Sequence, residues 1–435
     1  MPITDALHAY IPLQPAVKSS QARTGICHKD DAKVMLFCFG YKYSRYICDN
    51  LREKPYLWDS KGTDMKKIIV GCIGALMLCA CTSMKQKETM EKMYLMVGSY
   101  ATPEEEGIKV YAWNNEKGEA TYVSGLKGIS NPSYQVVSAD GECVYSVGED
   151  DGLTSMAHAL SFDKTQGTLT LINTQLTQGG APCYINVAPS GDYIITANYM
   201  GGNITVLPLE TSGRLGENVS TFAFKGEGVL KERQSQPHLH CVEFTPDGKF
   251  LLANDLGTDK IHVFPLTSEG KLDEKATFDV ALEPASGPRH ICFSKDGAFA
   301  YLINELSGKV TTLIYNGETL TPIQYIEADT VGARGSADIH LSPDGKFLYA
   351  SNRLKADGIA IFSVNQETGM LTKAGYQLTG IHPRNFVITP DGRFLLVACR
   401  DSNLVQIFRR DEKTGLLVDT GKTIETSKPV CLKFI

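Results

Sequence analysis

The sequence predicts an all-β fold, a seven-bladed β-propeller with four antiparallel strands per blade. Three recurring elements predict it, each counted independently along the chain. Pro-led strands begin at Pro132, Pro182, Pro237, Pro288, Pro383 and Pro429, with a Pro-less copy near Gly335. The strands that follow end at Ser99-Tyr100, Gly148-Glu149, Asn198-Tyr199, Asn254-Asp255, Asn304-Glu305, Asn352-Arg353 and Cys399-Arg400. A third strand in each copy leads to a turn glycine: Gly118, Gly167, Gly213, Gly270, Gly317, Gly369 and Gly415. Each series returns about every fifty residues, and four short strands per such unit is the mark of a propeller blade.

Within a copy, each element has a local reason. In the clearest one, Gln236-Pro237-His238-Leu239-His240 opens a strand, Thr245-Pro246-Asp247-Gly248 turns it, and Phe250 to Asp255 returns. Gly287-Pro288-Arg289-His290, Lys295-Asp296-Gly297 and Phe299 to Glu305 repeat the plan. Asp-Gly between alternating apolar runs is the strongest short-range hairpin signal. The phase of the ends matters as well. The repeat region enters on a second strand, Tyr94 to Tyr100, and leaves on a first strand, Lys428 to Ile435. The last strand is therefore expected to complete the first blade, which removes the open sheet edges of a linear array. WD40 and kelch marks are not repeated, and no Rossmann fingerprint or P-loop occurs.

The propeller is assigned to residues 93–435. Residues 1–64 show no sustained period and read as an unstructured or mis-annotated extension. Met65-Lys66-Lys67, the apolar run Ile68 to Leu78 and the ending Leu78-Cys79-Ala80-Cys81 make 65–81 a lipoprotein-type signal peptide. Cys81 is then a possible lipid anchor, and the polar stretch 82–92 is its tether. A used signal places the protein in the bacterial cell envelope; otherwise it is cytoplasmic. The net charge of −6 and pI near 5.9 argue against a nucleic-acid partner. Twelve cysteines show no paired CxxC spacing, so neither zinc nor a disulfide framework is indicated. Cys143, Cys241, Cys292, Cys399 and Cys431 sit in strand-like runs and read as buried thiols.

In an antiparallel blade the start of strand one and the end of strand two share an edge, so these residues should ring one mouth of the channel. Strand-one starts carry His238, His240, Arg289, His290, Arg384, Arg334 and Asp338; strand-two ends carry Tyr199, Asp255, Glu305, Arg353 and Arg400. Convergent polar groups in a concavity are the default binding site. The recurring Asn198, Asn254, Asn304 and Asn352 have a structural reading too, bonding backbone at a blade corner. The arginines suit a small anionic ligand. A His or Glu could activate water, and an Arg could face the oxyanion of an attacked lactone carbonyl. No Gly-x-Ser-x-Gly elbow points to a serine acyl-enzyme.

At these residues the chain resembles the seven-bladed propeller lactonases, which include bacterial 6-phosphogluconolactonase and fungal carboxymuconate cyclase. The stretches that carry the resemblance are Gln236 to His240 with Asn254 to Asp259, Gly287 to His290 with Asn304-Glu305-Leu306, Ser351-Asn352-Arg353, and Pro383-Arg384-Asn385-Phe386. The resemblance implies hydrolysis of a sugar lactone, most specifically 6-phospho-glucono-1,5-lactone, without metal or organic cofactor. It implies a catalytic set of His238 or His240 with Arg289, Glu305 and Arg353. Tyr199, Asp255, His290, Asn304, Asn352, Arg384 and Arg400 are then expected to bind a small anionic sugar lactone or acid. Asn385 stands where many relatives carry His. Other readings of the same residues are an envelope-anchored hydrolase of another sugar lactone, a muconate-type cyclase, a non-catalytic binding propeller, and a calcium-dependent lactonase using the Asn, Asp255 and Glu305 oxygens.

Overall fold

A computed structural model describes residues 92–217 and 219–435. The extension at 1–64, the signal segment at 65–81 with Cys81, and the tether up to residue 91 lie outside the described residues. Among those described, 28 strands form seven four-stranded antiparallel sheets. Six blades are consecutive in sequence. The first is completed from the far end of the chain, where Pro429–Phe434 pairs with Tyr94–Ser99. Ring closure thus takes the form that the phase of the termini predicted.

The innermost strands begin where the prolines place them: Pro182–Val187, Pro288–Phe293, Pro383–Ile388 and Pro429–Phe434. Two copies start later. Leu239–Phe244 follows Pro237 by two residues, and only Gln135–Val137 pairs after Pro132. A register shift recurs just inside the strand start, as between Pro288 and His290. It turns the first residues away from the regular ladder and toward the channel mouth.

The seven turn glycines lock blades together. Each belongs to the outer hairpin of one blade and lies on the second strand of the preceding one, or on the turn that leads into it. A Cβ on Gly369 would fall 2.3 Å from the Phe299 ring, one on Gly415 2.3 Å from Phe347, and one on Gly118 2.5 Å from Phe394. The last of these joins blade one to blade seven. Tyrosines add hydroxyl bonds to the same turns, Tyr301 to Gly369 O at 3.1 Å and Tyr349 to Gly415 O at 2.7 Å. Between blades the core is aromatic-rich, with Tyr301, Tyr349, Phe362, Phe386 and Phe408 fully buried. Burial of one such side chain is worth about 1.5–3 kcal/mol. Cys241, Cys399 and Cys431 are buried free thiols, whereas Cys143 and Cys292 are only partly buried.

Candidate active site

The strand pairs Leu239↔Asp255 and Pro288↔Asn304 put strand-one starts beside strand-two ends at one mouth of the channel. Glu305 lies at its centre. Arg289 Nε donates to Glu305 Oε2 at 3.0 Å, and Arg353 Nη2 donates to the same oxygen at 3.0 Å. Arg233 Nη2 donates to Oε1 at 2.7 Å. Burial alone would raise the Glu305 pKa, but Arg353, Arg289 and Arg233 outweigh it and hold the carboxylate at about 2. Burial acts on Arg353 in the opposite sense and lowers its pKa, with Glu305 offsetting part of the effect.

Both Glu305 oxygens are engaged by guanidiniums, so this residue positions arginines and is a poor base for water. That corrects the expectation of a Glu-activated water. Arg289 is further fixed by the Ala337 carbonyl at 2.5 Å, and Arg353 by the Gly335 carbonyl at 2.7 Å.

The histidines divide by environment. His238 Nδ1 lies 2.9 Å from the Tyr199 carbonyl, which can only accept, so Nδ1 is the donor and Nε2 is the acceptor nitrogen of the neutral tautomer. The His238 ring stacks on Tyr199 at 4.3 Å between centroids. Arg233 lies beside the Tyr199 phenol, which joins this pair to the Glu305 cluster. His240 is deeper, with Nδ1 3.6 Å from Cys183 Sγ. Burial first, then Arg289, His290 and Arg384, push its pKa well below the usual value, so the ring is neutral. Burial raises the Cys183 pKa and keeps it a thiol rather than a nucleophilic thiolate.

Below this layer a hydrogen-bonded chain descends the channel. Arg289 Nη1 is 3.1 Å from His290 Nε2, His290 Nδ1 is 2.8 Å from Asp338 Oδ1, and Asp338 Oδ2 is 2.9 Å from His340 Nε2. Burial and Arg289 lower the His290 pKa to about 3, against the opposing pull of Asp338. His290 is therefore a link in this chain rather than an exposed substrate contact. Asn385 belongs to it too, donating to Asp338 Oδ2 at 2.5 Å and accepting from Leu432 N at 2.7 Å. Asn385 is thus a bridge between blades.

Four expected binding residues are engaged otherwise. Asp255 accepts from His238 N, Gly257 N and Thr258 Oγ1 at 2.7, 2.9 and 2.6 Å, and so builds the blade corner. Asn304 donates to Lys309 O and Thr311 Oγ1, and Asn352 donates to Ala328 O and accepts from Ser336 Oγ. These two are the backbone-bonding corner asparagines that the structural reading described. With Asp255 and Glu305 held by N–H and O–H donors, their oxygens do not form a calcium-ligand set. Arg400 folds onto the neighbouring Asp401 at 2.7 and 2.9 Å and stays outside the cluster. Arg334, at the Pro-less strand start, is exposed.

Arg384 does reach the mouth, 3.7 Å from Glu149 and 5.4 Å from the centre of the Tyr100 ring. Tyr100 in turn donates to Glu149 at 2.9 Å. Among the described residues, Arg233, Arg289, Arg353 and Arg384 pair with no carboxylates other than Glu305 and Glu149, which leaves the mouth positive inside an acidic protein. Sequence reasoning missed Arg233, His382 and the Tyr100–Glu149 pair. His382 Nε2 lies 3.3 Å from Arg353 Nη1. Arg233 sits in the loop before Leu239, pinned by Gln234, whose amide donates to Leu256 O at 2.9 Å and Asp259 Oδ1 at 2.8 Å.

Fold and site together define a seven-bladed propeller with a buried, arginine-rich, histidine-flanked mouth suited to a small anion. Residues 94–434 match the family model "Lactonase, 7-bladed beta-propeller", and the chain belongs to that family. A 6-phosphogluconolactonase of Formosa agariphila is 38% identical over 331 residues, covering 74% of this chain and 94% of the relative. One of Bacillus subtilis is 36% identical over 354 residues, covering 80% and 99%. Among solved structures, one from Bacteroides fragilis is 52% identical with a TM-score of 0.77, covering 81% of this chain and all of that one. The periplasmic gluconolactonase of Pseudomonas aeruginosa is 32% identical with a TM-score of 0.74, covering 79% and 99%.

Proposed function

We propose that the protein is a lactone hydrolase whose substrate is 6-phospho-glucono-1,5-lactone, opened to 6-phosphogluconate. The observation that carries the site assignment is the Glu305-centred cluster of Arg233, Arg289 and Arg353 beside His238. Membership of the lactonase family and the names of the Formosa and Bacillus relatives support the reaction.

The chemistry follows from the side chains present. His238 Nε2 takes a proton from water, and the hydroxide adds to the lactone carbonyl carbon. An arginine held by Glu305 faces the oxyanion, where a fixed charge costs no reorganisation. The ring C–O bond then breaks, the ring oxygen takes the proton from His238, and a hydroxy acid leaves. Arg384 and the surplus positive charge favour the phosphorylated substrate.

A second substrate is favoured by a specific likeness. The Pseudomonas relative is a periplasmic gluconolactonase, and the Cys81 signal segment would place this chain in the envelope, away from phosphorylated sugars. The experiment is direct: freshly generated 6-phosphogluconolactone and gluconolactone are offered side by side, with spontaneous opening subtracted. Faster enzymic opening of the phosphorylated lactone is expected and would support a pentose-phosphate role. Activity on gluconolactone alone would keep the mechanism and move the substrate to the envelope; activity on neither would contradict the proposal.

A further inference from the structure

The central channel has a second mouth. The innermost strands are six residues long, so at about 3.3 Å per residue their far ends lie well over 10 Å from the arginine cluster. Toward that end a cavity of about 420 Å3 opens, lined among others by Tyr134, Tyr184, Glu243, Phe293, His340 and Lys433. Its volume falls within the roughly 300–1,000 Å3 typical of small-molecule sites. Five of these six residues take no part in the site described above; the sixth, His340, ends the hydrogen-bonded chain that descends from Arg289, and His290 and Asp338 of that chain form part of the cavity's floor.

The cavity presents a cation and an acceptor on an aromatic wall. Tyr134 and Tyr184 stack with centroids 4.2 Å apart. Lys433 Nζ sits 4.7 Å from the Tyr134 ring centre and 3.3 Å from its hydroxyl. Among the described residues no carboxylate lies within salt-bridge distance of this ammonium. Glu243 accepts from the Tyr184 hydroxyl at 3.1 Å through one oxygen and from Asn186 Nδ2 at 3.2 Å through the other. Each carboxylate oxygen has two lone pairs, so both retain capacity for another donor. A simple cation would be repelled by Lys433, and a simple anion would leave Glu243 facing its own charge. A molecule with a carboxylate at one end and hydroxyls along its length satisfies both.

We propose that this second mouth is a binding site for a small polyhydroxy acid, with its carboxylate on Lys433, its hydroxyls on Glu243 and its carbon chain against the tyrosine and phenylalanine rings. The site stands on its own residues and does not depend on the reaction assigned to the arginine mouth.

The test is calorimetric titration of gluconate into the full chain carrying Arg353→Ala, which disables the arginine mouth. Retained gluconate binding is expected there. Adding Lys433→Met should weaken it by about ten-fold or more, the loss of one charge-assisted contact. Lys433→Arg should restore most of it, and Glu243→Gln should weaken it less, with thermal unfolding confirming that each variant is folded. Acetate, a charge without hydroxyls, and glucose, hydroxyls without charge, should each bind about ten-fold or more weaker than gluconate. Loss of all gluconate binding in Arg353→Ala alone would overturn the proposal. So would unchanged binding in the folded Lys433→Met variant, or acetate binding as tightly as gluconate.

Discussion

Glu305 shows how one buried residue can organise a site without taking part in bond making. Its carboxylate is held at about 2 by three guanidiniums, and each guanidinium is aimed by holding it. Glu305→Gln should therefore lower kcat/KM by roughly 10²–10³-fold through misplaced arginines, the scale of losing an oxyanion donor. A pH consequence follows with a definite sign. A depressed carboxyl pKa contributes stability that is present above the unfolded value of 4.5 and lost as pH falls toward about 2. His290, with a folded pKa near 3, acts in the same direction from 6.5 downward, because unfolding lets it take up a proton. Urea midpoints measured from pH 7 to 3 should fall throughout, and the gap between wild type and Glu305→Gln should narrow below pH 4.5.

The two candidate bases separate at the same scale. His238 has its proton fixed on Nδ1 by the Tyr199 carbonyl, leaving Nε2 free, whereas His240 is sunk against Cys183. His238→Asn should cost about 10²–10⁴-fold in kcat. Steady-state rates of His238→Asn and His240→Asn, each with a measured melting temperature, check this. A larger kcat loss in a stable His240 variant would reverse the assignment.

At the scale of elements, the turn glycines and the corner loops do different work. Gly415 has φ 73° and no room for a Cβ against Phe347. Gly415→Ala should destabilise the ring by about 1–3 kcal/mol through overpacking and backbone strain, read as a lower urea midpoint with kinetics unchanged in the folded fraction. The loop that carries Arg233 is held by Gln234, fully buried between Leu256 and Asp259. Gln234→Ala should cost about 1–3 kcal/mol and raise KM as Arg233 loses its place.

These elements also show what was legible in advance. The glycines and prolines recur because each blade needs the same turns and the same strand entry, so a period in the sequence is a period in the structure. Arg289, Arg353 and Glu305 fall on that period, and the structure brings their side chains together. Arg233 lies on a loop between blades, outside the repeat, where only a longer spacing before Pro237 marks an insertion. Asp255, Asn304 and Asn352 fall on the period too, yet bond the blade corners. A polar residue at a channel mouth can serve ligand or backbone alike, and its type alone does not separate the two. Arg400 is diverted by its neighbour Asp401, a local pairing that strand phase does not register.

At the scale of the whole molecule, the ring is closed by one six-residue strand, Pro429–Phe434, which also supplies Lys433 to the second mouth. The chain enters the ring at Tyr94, at the opposite end of its strand from the arginine mouth.

The central claim is that lactone opening depends on the Glu305-held arginines. It is tested most directly by kcat/KM for 6-phosphogluconolactone in wild type, Arg289→Ala and Arg353→Ala, each shown to be folded by its thermal transition. Wild-type turnover well above spontaneous opening, with a loss of about 10²-fold or more in both folded variants, is the predicted result. Full activity in either folded variant would contradict the account.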